Sequence, residues 1–161
     1  MKFLIVGLFG NDEKGIRRFQ EYVDFVKKTI RVDLMLREAT FITIDAPYKL
    51  DDYLYSQNAG KLDEHAGQVF DSLDMVFING KSPKVAWHKE LHNVFTLVRL
   101  CLLVEKPLLA SGTAFHVYIF MIASNTTSLP NIINKDYRMK IEQCFNLRPS
   151  NQKSNEYLID P

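Results

Sequence analysis

Along the chain, continuous apolar runs that are typical of strands alternate with segments in which apolar residues recur at helical spacing. The first is a nearly continuous apolar run over residues 2–8, typical of a strand buried on both faces of a parallel sheet. An amphipathic helix is predicted next, because apolar residues recur at spacings of three and four with charged residues between them. These apolar residues are Ile16, Phe19, Val23, Val26 and Ile30. Asp12 is the predicted N-cap of the helix.

The second strand has two neighbouring candidate stretches. Residues 32–36 and 40–44 are both strand-like, and the β-branched residues of the second stretch make it the better strand. Pro47 closes that stretch. Residues 48–72 are mostly polar, and they predict a loop with a short helix.

Two further strands, each followed by a helix, are predicted downstream. A strand over residues 73–78 stops at Asn79 and Gly80, and a long amphipathic helix follows it. The apolar stripe of that helix consists of Val85, Leu91, Phe95, Val98 and Leu102. A short strand over residues 107–110 then leads through a tight turn into an apolar segment over residues 115–123, compatible with a buried helix.

This alternation of strands and helices predicts an α/β fold. Parallel strands need crossover connections, and right-handed crossovers place helices on both faces of the sheet. The expected architecture is a flavodoxin-like or Rossmann-like parallel sheet. From Ser124 onward the sequence becomes polar, rich in Ser, Asn, Thr and Lys. We therefore predict one domain over residues 1–124 and a polar C-terminal extension over residues 125–161.

The composition indicates which class of protein this is and excludes some classes of partner. With 161 residues, 47% of them hydrophobic, the chain is long enough for one domain with a real core. A formal net charge of +1 provides no basic excess for a nucleic acid backbone, so no nucleic acid partner is expected. The apolar runs are shorter than the roughly 20 residues of a membrane span. Cys101 and Cys144 indicate no disulfide framework, and we predict a cytoplasmic protein.

Neither a cofactor loop nor a metal site is predicted. The turn over residues 7–12 lacks the three glycines of a dinucleotide loop, and Asp12 and Glu13 stand where a phosphate would sit. His88 and His92 are four residues apart, which is the spacing of a two-histidine metal site if one helix face holds both. The sequence shows no obvious third ligand for them.

The turn into the last predicted helix resembles a known catalytic motif. Residues 106–116 read KPLLASGTAFH, similar to the nucleophile elbow of the class I glutamine amidotransferases, where a strand beginning at proline leads into Gly-x-Cys-x-Gly and a helix. Through residues 117–125 the apolar helix is similar to the one after the elbow in the amidotransferase domain of CTP synthase. Upstream, residues 74–80 resemble the strand that leads to the paired glycines of the family's oxyanion hole. The resemblance covers roughly residues 1–125 and implies the α/β fold.

The sequence departs from the family at the nucleophile. Gly112 occupies the position of the cysteine and Ser111 precedes it, while the flanking small residues are Ala110 and Ala114. Without a thiolate at that position the family's covalent glutamyl intermediate cannot form. Ser111 and Thr113 are not automatic replacements, because each lies one residue away from the position that the elbow presents.

Other parts of the family's machinery are also altered. In the predicted oxyanion loop, Asn79 and Gly80 replace a Gly-Gly pair, and asparagine can preserve the turn because it adopts unusual backbone angles. The family's catalytic His and Glu lie later in its domain, on an element that we do not expect this short chain to reach. His116, beside the elbow, is a candidate general base.

The resemblance and these departures imply an amidotransferase-like domain with no catalytic residues. We expect a structural or protein-interaction module whose partners are other proteins of a larger assembly, with no cofactor. A cytoskeletal or ciliary assembly is one setting for such a part. One alternative is a hydrolase that uses Ser111 or Thr113 with His116. The other is a small-molecule binding domain with its cleft at the strand ends.

Overall fold

A parallel β-sheet forms the centre of the structure, a computed structural model that describes residues 1–45, 64–82, 84, 86, 88–124, 147–149 and 157–159. Its strands are β1 (Lys2–Gly7), β2 (Thr40–Ile44), β3 (Met75–Asn79) and β4 (Leu108–Ala110), in the order β2-β1-β3-β4. The helices are α1 (Glu13–Lys28), α2 (Glu64–Asp71), α3 (His92–Leu103) and α4 (Thr113–Ser124). The predicted α/β fold is confirmed, and this strand order is that of a flavodoxin-like sheet.

The sheet separates two apolar clusters, because successive side chains of a strand point to opposite faces. One cluster lies under α3 and α4 and includes Val6, Ile78 and Phe95. The other lies under α1 and includes Ile5 and Val26. Helices therefore cover both faces of the sheet, as the alternation of elements predicts.

Helix α1 begins where the sequence places its N-cap. The side chain of Asp12 accepts a hydrogen bond from the backbone N–H of Gly15 at 3.0 Å, which satisfies a donor left free in the first turn. Val23 and Val26 are buried as predicted, whereas Ile16 is exposed. Ile16 lies in the first turn, outside the cluster that α1 forms with the sheet.

The segment after α1 settles the choice between the two candidate strands. The helix continues as a π-helical turn over Thr29–Asp33, so the stretch over residues 32–36 contributes no strand. Residues 40–44 form β2 and pair with β1. The short helix predicted within residues 48–72 corresponds to α2, while residues 46–63 lie outside the described part of the chain.

The helix after β3 starts later than predicted. A 3-10 turn over Lys89–Leu91 precedes α3, and Val85 lies outside the described residues. At the other end Leu102 is exposed, and Cys101 is buried in its place. The reason is the helical period of 3.6 residues: two turns on from the fully buried Val94, the inward position falls closer to 101 than to 102.

One lysine joins the end of α2 to the start of β4. The Nζ atom of Lys106 donates to the carbonyl oxygen of Leu73 at 2.6 Å and to that of Asp71 at 3.4 Å. The same ammonium lies 4.9 Å from the ring centre of Phe70. It therefore satisfies carbonyl groups at and just after a helix C-terminus, where intrahelical partners are lacking.

We expect Lys106→Met to lower the free energy of unfolding by about 1–2 kcal/mol, because a hydrogen bond from a charged donor is lost while the apolar stem is kept. Chemical denaturation measures the change. Lys84→Met is the control, since Lys84 forms an exposed ion pair with Glu90 at 3.6 Å, and such pairs contribute about 0–1 kcal/mol. Equal losses in the two variants would contradict the role given to Lys106.

Two short strands lie in the C-terminal part of the chain. Strands β5 (Leu147–Pro149) and β6 (Tyr157–Ile159) pair antiparallel with each other. Residues 157–159 are apolar within an otherwise polar segment, and the sequence pattern predicts no strand pairing there. The division into a domain over residues 1–124 and an extension over residues 125–161 stays a prediction. Within the described residues, no helix is both long and apolar enough to cross a membrane.

Candidate functional site

The carboxyl ends of β1, β3 and β4 lie side by side at one end of the sheet. In an open parallel sheet, ligands bind beyond the carboxyl ends of the strands, at the point where the strand order reverses. The backbone N–H of Leu8 donates to the carbonyl of Asn79 at 2.8 Å, and the N–H of Ser111 donates to the carbonyl of Ile78 at 2.9 Å. The loops after the three strands are thereby held against one another.

The turn between β4 and α4 is as tight as the predicted elbow requires. Only Ser111 and Gly112 separate the strand from the helix, and Gly112 has a φ of +60°. A nucleophile elbow is a sharp, strained turn from strand to helix, and a positive φ is strained for residues other than glycine. The residue at the cysteine position of the resemblance therefore adopts the backbone conformation that glycine allows most easily.

The space beside Gly112 is occupied by the loop after β3. A Cβ atom on Gly112 would overlap the carbonyl oxygen of Gly80. That oxygen also accepts a hydrogen bond from the backbone N–H of Thr113 at 3.0 Å. The position from which an elbow would present its nucleophile is thus closed by main-chain atoms.

The two backbone donors expected to form an oxyanion hole already have partners. One is the N–H of Thr113, which follows the nucleophile position, and it points to the Gly80 carbonyl. The other is the N–H of Gly80, which donates to Oδ1 of Asn79 at 2.7 Å. In this conformation, neither donor points to a common site where a developing oxyanion could be stabilised.

The residues of the hydrolase alternative face different environments. Thr113 is buried, and its Oγ1 accepts a hydrogen bond from the N–H of Ser82 at 2.7 Å. The side chain of His116 is exposed, and within the described part of the chain no hydrogen bond joins it to Ser111 or Thr113. Ala114 is fully buried and belongs to the core under α4. The structure therefore places these residues on one turn without assembling a nucleophile and base.

Ser82 also belongs to this end of the sheet, although no pattern in the sequence predicts it. Its N–H, rather than a side-chain group, makes the bond to Thr113, so a search for reactive side chains passes over it. The only signal in the sequence is the glycine immediately after β3, because a glycine after a strand indicates a turn that approaches another segment closely.

The pair His88 and His92 does not share a helix face. His88 precedes the 3-10 turn, and its Nδ1 accepts a hydrogen bond from the N–H of Glu90 at 3.2 Å, while α3 begins only at His92. The i, i+4 interpretation therefore fails, because no helix covers both residues. Among the described residues, no group of three His, Cys, Asp or Glu side chains is placed to hold a metal ion.

The thiol of Cys101 belongs to the core. Burial raises its pKa to about 12, although the nearby Lys106 opposes the shift. The thiolate is the nucleophilic form of cysteine, so a thiol with this pKa is unreactive near neutral pH. Cys101 therefore acts as a small apolar residue of the core.

We expect Cys101 to react with a thiol reagent only when the protein opens. In a Cys144→Ser background, labelling at pH 8 should follow the unfolding rate, and urea should accelerate it. Because the raised pKa keeps the proton bound in the folded state, Cys101 favours folding below pH 9, and this contribution is lost as the pH rises towards about 12. Rapid labelling of the folded protein at pH 8 would contradict this assignment.

Comparison with known proteins identifies no relative. No family model matches the chain, and no match is found among curated proteins or solved structures. The resemblance to the glutamine amidotransferases therefore rests on residues 74–80 and 106–125. It stays a prediction, because a fold alone does not establish a function.

Proposed function

We propose that this protein is a catalytically inactive domain of the glutamine amidotransferase type, which acts as a structural or protein-interaction module in a larger assembly. The observation that carries the proposal is the closed elbow. The Gly80 carbonyl fills the space next to Gly112 and accepts a hydrogen bond from the N–H of Thr113. In this conformation the turn lacks a nucleophile, the space for one, and free donors for an oxyanion.

Exposed apolar surface supports the interaction part of the proposal. Consecutive exposed residues Leu102, Leu103 and Val104 end α3 and begin the following turn, and Leu34 and Met35 follow the π-helical turn after α1. Neighbouring exposed apolar side chains are typical of surfaces that contact other proteins. These two stretches are the described surfaces that we expect partners to cover.

A glutaminase assay on the purified full chain tests the inactive elbow. We expect no ammonia release from glutamine, and no label within residues 106–116 after treatment with a glutamine-analogue electrophile. A functional glutamine amidotransferase in the same buffer serves as the positive control. Ammonia release above the protein-free blank, or a labelled residue in this stretch, would overturn the proposal.

A native pull-down of the tagged full chain from its own cells tests the interaction part. Mass spectrometry should find the same set of proteins in repeated preparations at moderate salt. Leu103→Lys and Met35→Lys introduce a charge at each exposed stretch, and we expect at least one of them to remove members of that set. Recovery of the chain with only its own copies would contradict membership of a larger assembly.

A further inference from the structure

Strand β4 is the last strand on its side of the sheet in the described part of the chain. Its register with β3 pairs Val76 with Leu108 and Ile78 with Ala110. The N–H of Val76 donates to the carbonyl of Pro107, and the carbonyl of Ile78 accepts from the N–H of Ser111. In a parallel pair, residues that bond towards the neighbour alternate with residues whose main-chain groups point away.

The alternation determines which groups lie on the open edge. Leu109 bonds towards β3, whereas the N–H and C=O groups of Leu108 and Ala110 point outward. The sheet ends at β4 in the described part of the chain, and no hydrogen bond described there engages these outward groups. Edges of this kind are templates for pairing with another strand.

Apolar side chains on β4 and on the helix that follows it are exposed. Leu109 is 52% exposed at the centre of the strand. Helix α4 packs against α3, β3 and β4 and is apolar around most of its circumference, a pattern typical of a helix buried on all sides. Yet Phe115 and Ile122, which are seven residues apart on one side, are 47% and 56% exposed.

Cationic side chains of α1 and of the turn after it lie over the strand at the opposite edge of the sheet. At β2, the cationic groups of Lys27 and Arg31 lie 6.0 and 5.0 Å from the ring centre of Phe41. Charged side chains at an edge strand oppose pairing with another chain. The three residues of β4 carry no charge, so no side chain of the strand itself opposes pairing in this way.

We propose that β4 pairs antiparallel with β4 of a second copy of this chain, about a two-fold axis at Leu109. In that register Leu108 faces Ala110 of the second copy, and each pair exchanges both of its main-chain hydrogen bonds. Leu109 then faces Leu109 of the second copy as the non-hydrogen-bonded pair, in which side chains lie closest. The open edge is therefore its own complement, as a two-fold interface requires.

The short strand limits the strength of this contact. Three residues bury far less than the roughly 1,200 Å² of a standard interface, so the exposed side of α4 must contribute, and we expect a dimer that dissociates in the micromolar range. This inference goes beyond the inactive elbow and does not depend on it. Glutaminase activity reports on the elbow, whereas molecular mass reports on the edge.

Sedimentation equilibrium of the full chain, from about 1 to about 500 µM, tests the dimer. We expect the mass to rise from that of one chain towards that of two. Ala110→Pro removes one outward N–H without touching the bonds to β3, a position where an edge strand accepts proline. Leu109→Lys places like charges opposite each other. Each should raise the dissociation constant at least tenfold.

The matched control is Phe25→Lys, which makes the same type of change at a residue of α1 that is 66% exposed. It should leave dissociation unchanged, and circular dichroism should show that all variants are folded. Should Ala110→Pro fail to fold, Leu109→Lys carries the test. A chain that stays monomeric at 500 µM overturns the proposal, as does a dimer that resists the folded β4 variants. Slow amide exchange of Leu108 and Ala110 in a monomer also overturns it, because a strand of the same chain then covers the edge.

Discussion

Gly80→Ala is expected to lower the free energy of unfolding by about 3–5 kcal/mol, since backbone strain and overpacking each cost roughly 1–3 kcal/mol. Gly80 has a φ of +127°, a region that residues with a Cβ rarely adopt. The added Cβ would also lie 2.6–2.8 Å from main-chain atoms of Leu8. Because these atoms belong to the segment that leaves β1, relief requires the loops after β1 and β3 to separate.

Gly10→Ala isolates the cost of strain from the cost of overlap. Gly10 also has a positive φ, +89°, but a Cβ there would meet only Oδ1 of Asp12, at 3.5 Å. We expect this variant to lose about 1–2 kcal/mol, the cost of a left-handed conformation alone. Urea denaturation of both variants gives the comparison. If Gly80→Ala lost no more than Gly10→Ala, the close approach of the two loops would be wrong.

Most of the fold can be predicted from the sequence because the side chains that are buried in each element recur at the period of that element. Strands β1 and β3 are buried on both faces and appear as continuous apolar runs, and the face of α1 towards the sheet appears as apolar residues three and four apart. The start of α3 could not be predicted in this way. Residues ahead of His92 combine apolar and charged side chains as an amphipathic helix does, although a 3-10 turn precedes the helix.

The geometry of the candidate site depends on contacts that the sequence does not record. Gly80 and Gly112 can each be assigned to a loop, because both follow strands. Their contact results from the register of β3 with β4: Ile78 pairs with Ala110, and two residues further along each chain the glycines meet. The glycine at the position where the resembled family has a cysteine can be seen in the sequence, whereas the closure of the space beside Gly112 requires the paired strands.

Gly112→Cys is expected to introduce the cysteine found in the resembled family without producing glutaminase activity. The substitution should lower the free energy of unfolding by about 2–4 kcal/mol, because a residue with a Cβ is strained at positive φ and overlaps the Gly80 carbonyl. Gly112→Ala is the matched control, because it adds the same Cβ without a thiol. We expect equal losses in the two variants by urea denaturation.

The chemical outcome of Gly112→Cys separates two accounts of the proposed inactivity of the elbow. If the site had lost only its nucleophile, the new thiol would be labelled by a glutamine-analogue electrophile and would release ammonia from glutamine. We expect neither, because the N–H groups of Thr113 and Gly80 stay bound to the Gly80 carbonyl and the Asn79 side chain. An oxyanion hole has to be preorganised before the reaction to lower its barrier. Glutamine turnover by this variant would therefore show that the loop after β3 opens, and closure of the elbow would no longer explain inactivity.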